Sequence, residues 1–328
     1  MRSLLAALLL CACYTQAQVP VSPPPVRLIL DTDIGNDIDD ALALATIHAL
    51  ANRAEVQLLA VTISKDNEYC APYVDLVNTF YGRPDIPIGV VRHGKTPERA
   101  PMVELPATRR DVRGNFLYPH RLVSGAQAPE AVELLTRILN SQPDGSVTIA
   151  QIGFSTNLAR LLQSHAGREL IQRKVKVLCL MAGNFAKPQP EFNVYTDPES
   201  AAFVFRNWPT PMIFSGFEIG LAIRFPYRVL DTDFRYAQHH PIVDAFKIYV
   251  PKPENHPTWD ATAVVEAIRP DAGYFTLSAP GVVAVGPKST TVFTPDQHGR
   301  CRYLIANLEQ TVRVQQLLVD LVSEPPYR

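Results

Sequence analysis

The sequence lacks an excess of charge of either sign, and it lacks long apolar runs. Its 328 residues include 31 Lys and Arg against 32 Asp and Glu, which gives a formal net charge of −1. Because neutralising nucleic acid phosphates requires a basic surface, this balance argues against a nucleic-acid-binding protein. No apolar stretch reaches the roughly 18 residues that a bilayer-spanning helix needs, so we expect no membrane span in the mature chain.

Glycine and cysteine are also scarce. The chain has 16 glycines against 29 prolines, which predicts long loops stiffened by proline. Of the five cysteines, Cys11 and Cys13 fall in the first segment, and the remaining three allow at most one internal disulfide. This excludes a disulfide-dense scaffold, and no Cys/His spacing indicates zinc. A hydrophobic fraction of 47% with 19% charged residues argues against global disorder.

The first 17 residues have the features of a secretory signal peptide. Arg2 precedes an apolar run over 4–10, and a small-residue exit ends at Ala17. We therefore expect a secreted or periplasmic protein, with lipoprotein processing at Cys13 as an alternative. Residues 18–25 are rich in proline and predict an extended tether. Residues 26–328 are expected to form a single domain.

Short apolar runs alternate with helical periodicity along most of the remaining chain. This alternation predicts an α/β fold in which helices cover both faces of a mostly parallel central sheet. The segments 92–121 and 224–259 escape the alternation and predict either functional lids or surface excursions. Three short strands and a closing helix predict a small β-rich C-terminal part. The predicted strands are 26–30, 56–63, 86–91, 147–152, 175–181, 212–214, 281–285, 290–294 and 301–305, and the predicted helices are 39–52, 71–81, 129–140, 157–164, 198–207 and 311–322.

The strongest signal is a cluster of aspartates where the first strand ends and the first helix begins. Five fall within ten residues, namely Asp31, Asp33, Asp37, Asp39 and Asp40. Ligands bind at the carboxyl ends of the strands in open α/β sheets. One or two aspartates could simply cap the helix. However, two carboxylates about 4 Å apart repel by roughly 4 kcal/mol at an effective dielectric constant of about 20, so the cluster indicates protonation or a bound cation.

The ligand atoms of this cluster limit which cations it could bind. Ligand sets made only of oxygen favour a hard cation such as Ca²⁺ or Mg²⁺. The spacing is not that of an EF-hand, because the glycine comes too early and no bidentate glutamate follows at the required distance. An acidic loop without lysine or a run of glycines is also unlike a phosphate-binding loop.

With these residues, the chain resembles the inosine/uridine-preferring nucleoside hydrolase family. The Asp-x-Asp-x-Gly…Asp-Asp loop over 31–40 is similar to the Ca²⁺ loop of that family and is two residues longer than in its best-known members. Three further segments resemble family motifs in the same order, and the likeness covers nearly the whole mature chain. They are Ser155-Thr156-Asn157-Leu158-Ala159, Glu191-Phe192-Asn193 with Asp197-Pro198-Glu199, and Pro257-Thr258-Trp259-Asp260. The chain is thereby identified as a divergent, secreted member with a nucleoside hydrolase-like, Rossmann-like fold.

The resemblance implies a role for each matching residue. Ca²⁺ would be bound by Asp33, Asp40, Asp260 and the carbonyl of Thr156, with Asp37 as an additional candidate. Asp33 would also accept a proton from the attacking water as the general base. The hydroxyls of the ribose would be bound by Asp39, Asn67, Asn184, Glu191 and Asn193. Attack at the anomeric carbon through an oxocarbenium-like state would then release ribose and the free base.

Two of these segments also have a purely structural interpretation. Thr156 and Asn157 could cap the helix that follows them. Asp197-Pro198-Glu199 is a typical helix start whatever the function, because aspartate is a favoured cap and proline a favoured residue of the first turn.

Trp259 departs from the family pattern. Many members have a histidine immediately before the last calcium aspartate, where it is thought to protonate the leaving base. An indole N–H donates a hydrogen bond but cannot deliver a proton. Trp259 could therefore stack on an aromatic base or pack in the core. His256 and the pair His239-His240 are alternative proton donors.

Two functions from different classes remain open at this point. The first is Ca²⁺-dependent hydrolysis of the N-glycosidic bond of ribonucleosides or related ribosides. The second is non-catalytic binding of Ca²⁺ and ribose on the same scaffold. Asp33 beside Asp40 favours the enzyme, because a protein that only binds has little need of a base. The expected partner is a small nucleoside or riboside. Dimers or tetramers are common in the family that the chain resembles, and the sequence leaves open whether it forms a homo-oligomer.

Overall fold

The computed structural model describes residues 23–327. The predicted signal peptide, Cys13 and most of the predicted tether lie outside these residues and stay predictions. The strands are β1 Val26–Thr32, β2 Val56–Lys65, β3 Ile88–Lys95, β4 Val147–Gln151, β5 Val175–Met181, β6 Met212–Ser215, β7 Arg224–Phe225, β8 His256–Pro257, β9 Thr276–Leu277, β10 Gly281–Val285, β11 Thr291–Pro295 and β12 Cys301–Ile305. The helices are α1 Asp39–Asn52, α2 Cys70–Phe80, α3 Pro101–Thr108, α4 Ala131–Asn140, α5 Thr156–Gln163, α6 His165–Lys174, α7 Phe192–Thr196, α8 Pro198–Asn207, α9 Phe217–Ala222, α10 Val229–Thr232, α11 Pro241–Tyr249, α12 Trp259–Ile268 and α13 Leu308–Val322.

The main sheet has the strand order β11-β10-β12-β6-β5-β4-β1-β2-β3. The strands from β12 to β3 along this order pair in parallel, and β10 and β11 add antiparallel strands at one edge. The prediction of a mostly parallel sheet with a β-rich C-terminal part is confirmed. The first six strands have the doubly wound order 3-2-1-4-5-6. After β3, the chain returns to the other side of β1 and adds β4, β5 and β6 there, so the direction in which strands are added reverses between β1 and β4. A ligand crevice is expected at this point, outside the carboxyl ends of the two strands.

Apolar side chains form a layer on each face of the sheet. On one face, α1 is buried on all sides because α12 and α13 cover it, and Leu42 and Ile47 are completely inaccessible. A helix that is apolar all round is stable only in such a buried position. On the other face, Leu158 and Trp208 belong to a second core beneath α5, α6 and α8. The buried α1 places its first turn, which begins at Asp39, directly at the crevice.

The two segments that escaped the alternation contain short helices in the structure. α3 lies in the first, and α9 ends just before the second, which contains α10 and α11. α3 includes Pro106, which sequence rules treat as a helix breaker, and α3 packs against α2 and α11. Tertiary packing therefore stabilises helices that these sequences do not favour by themselves.

The described residues contain neither a disulfide nor a long apolar helix. Cys70, Cys179 and Cys301 are buried free thiols. Within residues 23–327, no helix combines the length and the apolar character that crossing a membrane requires.

Candidate active site

A pocket of about 230 Å³ lies at the switch point of the sheet. Asp33 follows β1, Ile152 follows β4 and Met181 ends β5, so the pocket is built on the carboxyl ends of three adjacent strands. The other lining residues are acidic, aromatic or amide side chains, namely Asn36, Asp37, Asp39, Asp40, Glu191, Phe192, Asn193, Phe217, Tyr249, Trp259 and Asp260. The sequence therefore brings most of the predicted site residues together.

Three carboxylates converge on one side of this pocket. Oxygens of Asp39, Asp40 and Asp260 lie within 4.8 Å of one another, and all three residues are buried. The first two belong to the first turn of α1, and Asp260 belongs to the first turn of α12, which packs beside α1. Asp39 Oδ2 accepts a hydrogen bond of 2.9 Å from the backbone N–H of Asp260. The N-termini of two helices thus meet at the carboxylates, where their dipoles favour negative charge.

These carboxylates have the properties of a cation site. Burial, and then repulsion by the neighbouring aspartates, raises the pKa of Asp39, Asp40 and Asp260 well above the usual value. Asp40 Oδ1 accepts a hydrogen bond from the Thr32 hydroxyl, while the buried Oδ2 has no hydrogen-bond partner in the described part of the chain. An unpartnered buried oxygen among further carboxylates fits a hard, oxygen-binding cation.

Asp33 lies on the adjoining wall of the pocket. Its Oδ2 accepts a hydrogen bond of 2.8 Å from Asn36 Nδ2. Burial raises the pKa of Asp33 to about 7, and this hydrogen bond opposes the shift. A carboxylate with a pKa near neutrality is well suited to accept a proton at physiological pH.

Asp31 belongs to the same cluster in sequence, but its contacts indicate a structural role. It is completely buried and does not line the pocket. Its Oδ1 accepts hydrogen bonds from Thr62 on β2 and from Asn157 on α5. Asp31 therefore joins β1 to its neighbours beneath the site, and its burial raises its pKa to about 7.

Glu191 and Asn193 form the wall contributed by the start of α7. Glu191 accepts hydrogen bonds from the backbone N–H groups of Gly183, Asn193 and Val194, and burial raises its pKa to about 7. Asn193 Nδ2 donates to the carbonyls of Ile152 and Met181 at the ends of β4 and β5. Both side chains are thus held rigidly at the pocket.

The structure does not place four of the predicted site residues on the pocket wall, namely Asn67, Asn184, Thr156 and His256, of which His256 contacts the lining residue Asp37. Asn67 Nδ2 donates to the Glu98 carbonyl, and its Oδ1 accepts from the Tyr69 N–H. Asn184 Oδ1 accepts from the Lys187 N–H. The Thr156 hydroxyl bonds Asp197, which also caps α8 as its sequence predicts. Nearby groups therefore engage these side chains, whereas the role predicted for Thr156 belongs to its backbone carbonyl. The ligand-binding roles of all four residues stay predictions.

Trp259 lines the pocket, but its N–H is already engaged. Indole Nε1 donates a hydrogen bond of 2.9 Å to the Phe217 carbonyl, and the two rings stack with centroids 5.4 Å apart. The indole N–H therefore anchors the ring and is not available to a ligand. What Trp259 can offer to a bound molecule is an aromatic surface.

The alternative histidines differ in their surroundings. His256 on β8 contacts the lining residue Asp37, with 2.7 Å between Nε2 and Oδ1. Asp37, Asp39 and His256 also have ligand atoms within 4.8 Å of one another. His240 is instead buried among aromatic rings, including Phe80 at 4.5 Å between centroids.

The predicted site residues do not include Phe192, Phe217 or Tyr249, which are three of the aromatic residues of the pocket. Phe217 begins α9 and Tyr249 ends α11, so both come from the short helices that the sequence pattern did not predict. Burial and the nearby charge of Asp37 raise the pKa of Tyr249 above its usual value. No motif marks either residue, because only the packing of these helices brings them to the site.

Comparison with known proteins gives a consistent result. The family model described as inosine-uridine preferring nucleoside hydrolase matches residues 28–320. The pyrimidine-specific ribonucleoside hydrolase RihA of Salmonella enteritidis is 32% identical over 214 residues, covering 58% of this chain and 60% of RihA. An uncharacterised protein of Schizosaccharomyces pombe is 30% identical over 195 residues, covering 55% of this chain and 57% of its own length. The matches thus span less than two thirds of these relatives.

Solved structures show the same fold over almost the whole chain. The plant nucleoside hydrolase PpNRh1 has a TM-score of 0.69 at 23% identity, covering 92% of this chain and 100% of its own. The purine-preferring ribonucleoside hydrolase of Gardnerella vaginalis has a TM-score of 0.68 at 18% identity, covering 90% and 98%. The type III effector XopQ, complexed with adenosine diphosphate ribose, has a TM-score of 0.66 at 14% identity, covering 92% and 94%.

Proposed function

The chain belongs to the inosine-uridine preferring nucleoside hydrolase family, and we propose that it hydrolyses the N-glycosidic bond of ribonucleosides or related ribosides with Ca²⁺ as its cofactor. The products are ribose and a free base. The observation that carries this proposal is the convergence of Asp39, Asp40 and Asp260 beside Asp33 in one buried pocket.

The carboxylates of the pocket divide into metal ligands and sugar ligands. Asp33, Asp40 and Asp260 are the side chains that would hold Ca²⁺, and the unpartnered Oδ2 of Asp40 supports this assignment. When bound, Ca²⁺ would lower the pKa of a coordinated water and orient the sugar hydroxyls. Asp39 uses Oδ2 to hold the start of α12, which leaves Oδ1 for a hydroxyl of the ribose. Asn193 and Glu191 line the same pocket.

Asp33 would act as the general base of the reaction. One of its oxygens is held by Asn36, and the other can accept a proton from the water that attacks the anomeric carbon. The bond to the base breaks as positive charge develops on the sugar, and the surrounding carboxylates stabilise that charge. For the leaving base, His256 is the histidine that contacts a lining residue, Asp37, and we propose it as the proton donor.

The charge of the pocket favours neutral nucleosides over nucleotides. Its lining in the described structure includes six acidic side chains and no Lys, Arg or His. A phosphate group carries about −1.5 to −2 charge at neutral pH and would be repelled there. Phe192, Phe217, Tyr249 and Trp259 provide aromatic surface for a heterocyclic base. The names of similar proteins include both pyrimidine-specific and purine-preferring hydrolases, so both types of base belong in an assay.

The proposal predicts release of ribose and base in equal amounts from at least one neutral nucleoside. The assay uses phosphate-free buffer with Ca²⁺ and includes uridine, cytidine, inosine, adenosine, guanosine and nitrophenyl riboside. Reducing-sugar detection and chromatography quantify the two products, and uridine monophosphate tests the exclusion of phosphate. If calorimetry shows nucleoside binding but none of these compounds is cleaved, the alternative of a non-catalytic Ca²⁺/ribose-binding protein is supported instead.

Gly153 lies against the backbone of Asp33, so a substitution at Gly153 tests how precisely Asp33 must be positioned for catalysis. A Cβ atom at position 153 would lie 2.4 Å from the backbone nitrogen of Asp33 and 2.6 Å from Ser64 Oγ. We expect Gly153→Ala to displace Asp33 and to lower kcat by about 100-fold, the effect of a misplacement of roughly 1 Å. Gly125→Ala is the matched control, because its Cβ would lie 3.5 Å from the nearest atom. Equal kcat values for the two variants would contradict this role of Gly153.

A further inference from the structure

Asn36 of the aspartate loop contacts Asp33, and Lys65, the last residue of β2, contacts Asn36. We propose that Asn36 and Lys65 are positioning residues that fix the orientation of the Asp33 carboxylate during hydrolysis. This inference rests on the proposed function of the pocket. It assigns a role to the residue that follows Gly35 in the aspartate loop and to the end of β2.

The contacts form a chain from the ammonium group to the carboxylate. Lys65 is only 3% exposed, and its Nζ donates to Asn36 Oδ1 at 2.9 Å and to the Thr96 carbonyl at 2.6 Å. Asn36 Nδ2 donates to Asp33 Oδ2 at 2.8 Å and to Thr96 Oγ1 at 3.2 Å. The hydrogen bonds of Asn36 with Lys65 and Thr96 therefore connect the loop over 31–40 to β2 and to the turn that follows β3.

The donors and acceptors leave one arrangement for the Asn36 amide. An ammonium group can only donate hydrogen bonds, so it must face the amide oxygen. The amide nitrogen is then directed to Asp33, which as a carboxylate can only accept. The assignment of oxygen and nitrogen in Asn36 therefore follows from its two charged neighbours. With Oδ2 held in this way, Oδ1 of Asp33 is the oxygen presented for the reaction.

The backbone near Lys65 contains residues in an uncommon conformation. His93 and Thr96 have φ values of 52° and 48°, a left-handed conformation that is uncommon for residues other than glycine. Such conformations cost of order 1–3 kcal/mol each and persist where the surrounding structure requires them. Here the turn directs the Thr96 carbonyl to the buried ammonium group. Gly35 has a φ of 110°, and a Cβ there would lie 3.2 Å from Lys65 Cδ.

A purely structural role would also explain a buried lysine that joins three segments. The two roles differ in their effect on folded protein. Loss of a structural contact lowers stability but leaves the kcat of the folded fraction unchanged. Loss of a positioning contact lowers kcat in protein that is fully folded, because Asp33 is then free to rotate. A suitable experiment therefore measures kcat, KM and thermal stability on the same variants.

The experiment compares Asn36→Ala, Lys65→Met and the double variant with wild type at saturating Ca²⁺. We expect each single variant to lose about 10- to 100-fold in kcat, the usual effect of removing a group that orients a ligand, with KM little changed. The double variant should lose no more than the more impaired single variant, because both residues act through Asp33. Lys95→Met is the matched control, since Lys95 is exposed and pairs with Lys65 across β2 and β3.

Asn36→Asp removes the donor to Asp33 but keeps an oxygen for Lys65. The new carboxylate also faces Asp33, and repulsion between the two should lower thermal stability. We therefore measure kcat at a temperature at which the variant is fully folded and expect a value as low as that of Asn36→Ala. A calorimetric titration with Ca²⁺ provides a readout independent of activity, in which Asn36→Ala should bind several-fold more weakly and the double variant no more weakly than that.

Additive losses in the double variant, or wild-type kcat and calcium affinity in Asn36→Ala and Asn36→Asp, would overturn the positioning role. The two proposals also fail in different ways. A wild-type protein that cleaves no riboside refutes the proposed function and, with it, this inference. An active wild type with equally active Asn36 variants refutes the inference alone.

Discussion

Replacing Asp33 with alanine should abolish hydrolysis while leaving the protein folded. Loss of a general base costs about 100- to 10,000-fold, and we expect the upper end of this range because Asp33 is also a proposed Ca²⁺ ligand. The fold should tolerate the change because burial already raises the pKa of this carboxyl to about 7, so it is an unfavourable buried charge at higher pH. The measurement is kcat/KM for the best substrate, with circular dichroism to establish folding.

Asp85→Ala is the control for this substitution. Asp85 pairs with Arg121 on the surface, with 88% of its side chain exposed, and should have wild-type activity when replaced. Undiminished turnover in Asp33→Ala would refute Asp33 as the base. Loss of activity together with loss of circular dichroism would mean that Asp33 is required for folding, contrary to the expectation above.

Removing Ca²⁺ should destabilise the protein, and the loss should be larger at pH 8 than at pH 5. In metal-free protein, burial raises the pKa of Asp33 from 3.8 to about 7, and the pKa values of Asp39, Asp40 and Asp260 are raised as well. The folded state then holds protons that the unfolded state releases. Their stabilising contribution is fully present below the unfolded pKa of about 4 and is lost as the pH rises through about 7.

A bound cation replaces those protons, so its stabilising effect grows as the protons leave. At a calcium concentration about 100 times its Kd, binding contributes about 2.7 kcal/mol to the free energy of unfolding. The measurement is the thermal unfolding temperature with Ca²⁺ and with chelator at both pH values. Asp40→Asn should lose most of the increase in unfolding temperature that Ca²⁺ produces, because a neutral amide replaces an anionic carboxylate ligand. Identical unfolding temperatures with and without Ca²⁺ at pH 8 would contradict a calcium site.

The sequence predicted the sheet well because parallel strands are buried on both faces and read as short apolar runs. The predicted bounds of α1, β5, α8, β10 and β12 agree with the structure residue for residue. The helices that were missed, such as α3 and α11, are short and begin with proline, and they depend on contacts with distant segments. Local sequence carries little information about such helices.

The site residues likewise include some that local sequence reveals and others that depend on distant contacts. Asp33, Asp39 and Asp40 were predictable because they lie within eight residues of one another, between the end of β1 and the first turn of α1, so that local sequence alone reveals them. Asn67 is different, because its amide is engaged by the Glu98 carbonyl in a segment whose course the sequence does not indicate. Lys65 likewise reaches Asn36 only because β2 and the turn after β3 are adjacent in the folded protein.

Hydrolysis of ribosides by the aspartate pocket is proposed to require a bound Ca²⁺. The most direct test of this requirement is the rate of ribose release from the best substrate of the nucleoside assay, followed in one sample of wild-type protein through chelation and then addition of excess Ca²⁺. We expect release of ribose at the start, none after chelation and recovery of the initial rate with Ca²⁺. Release that continues unchanged in chelator, or no release at any stage, would contradict a calcium-dependent hydrolase.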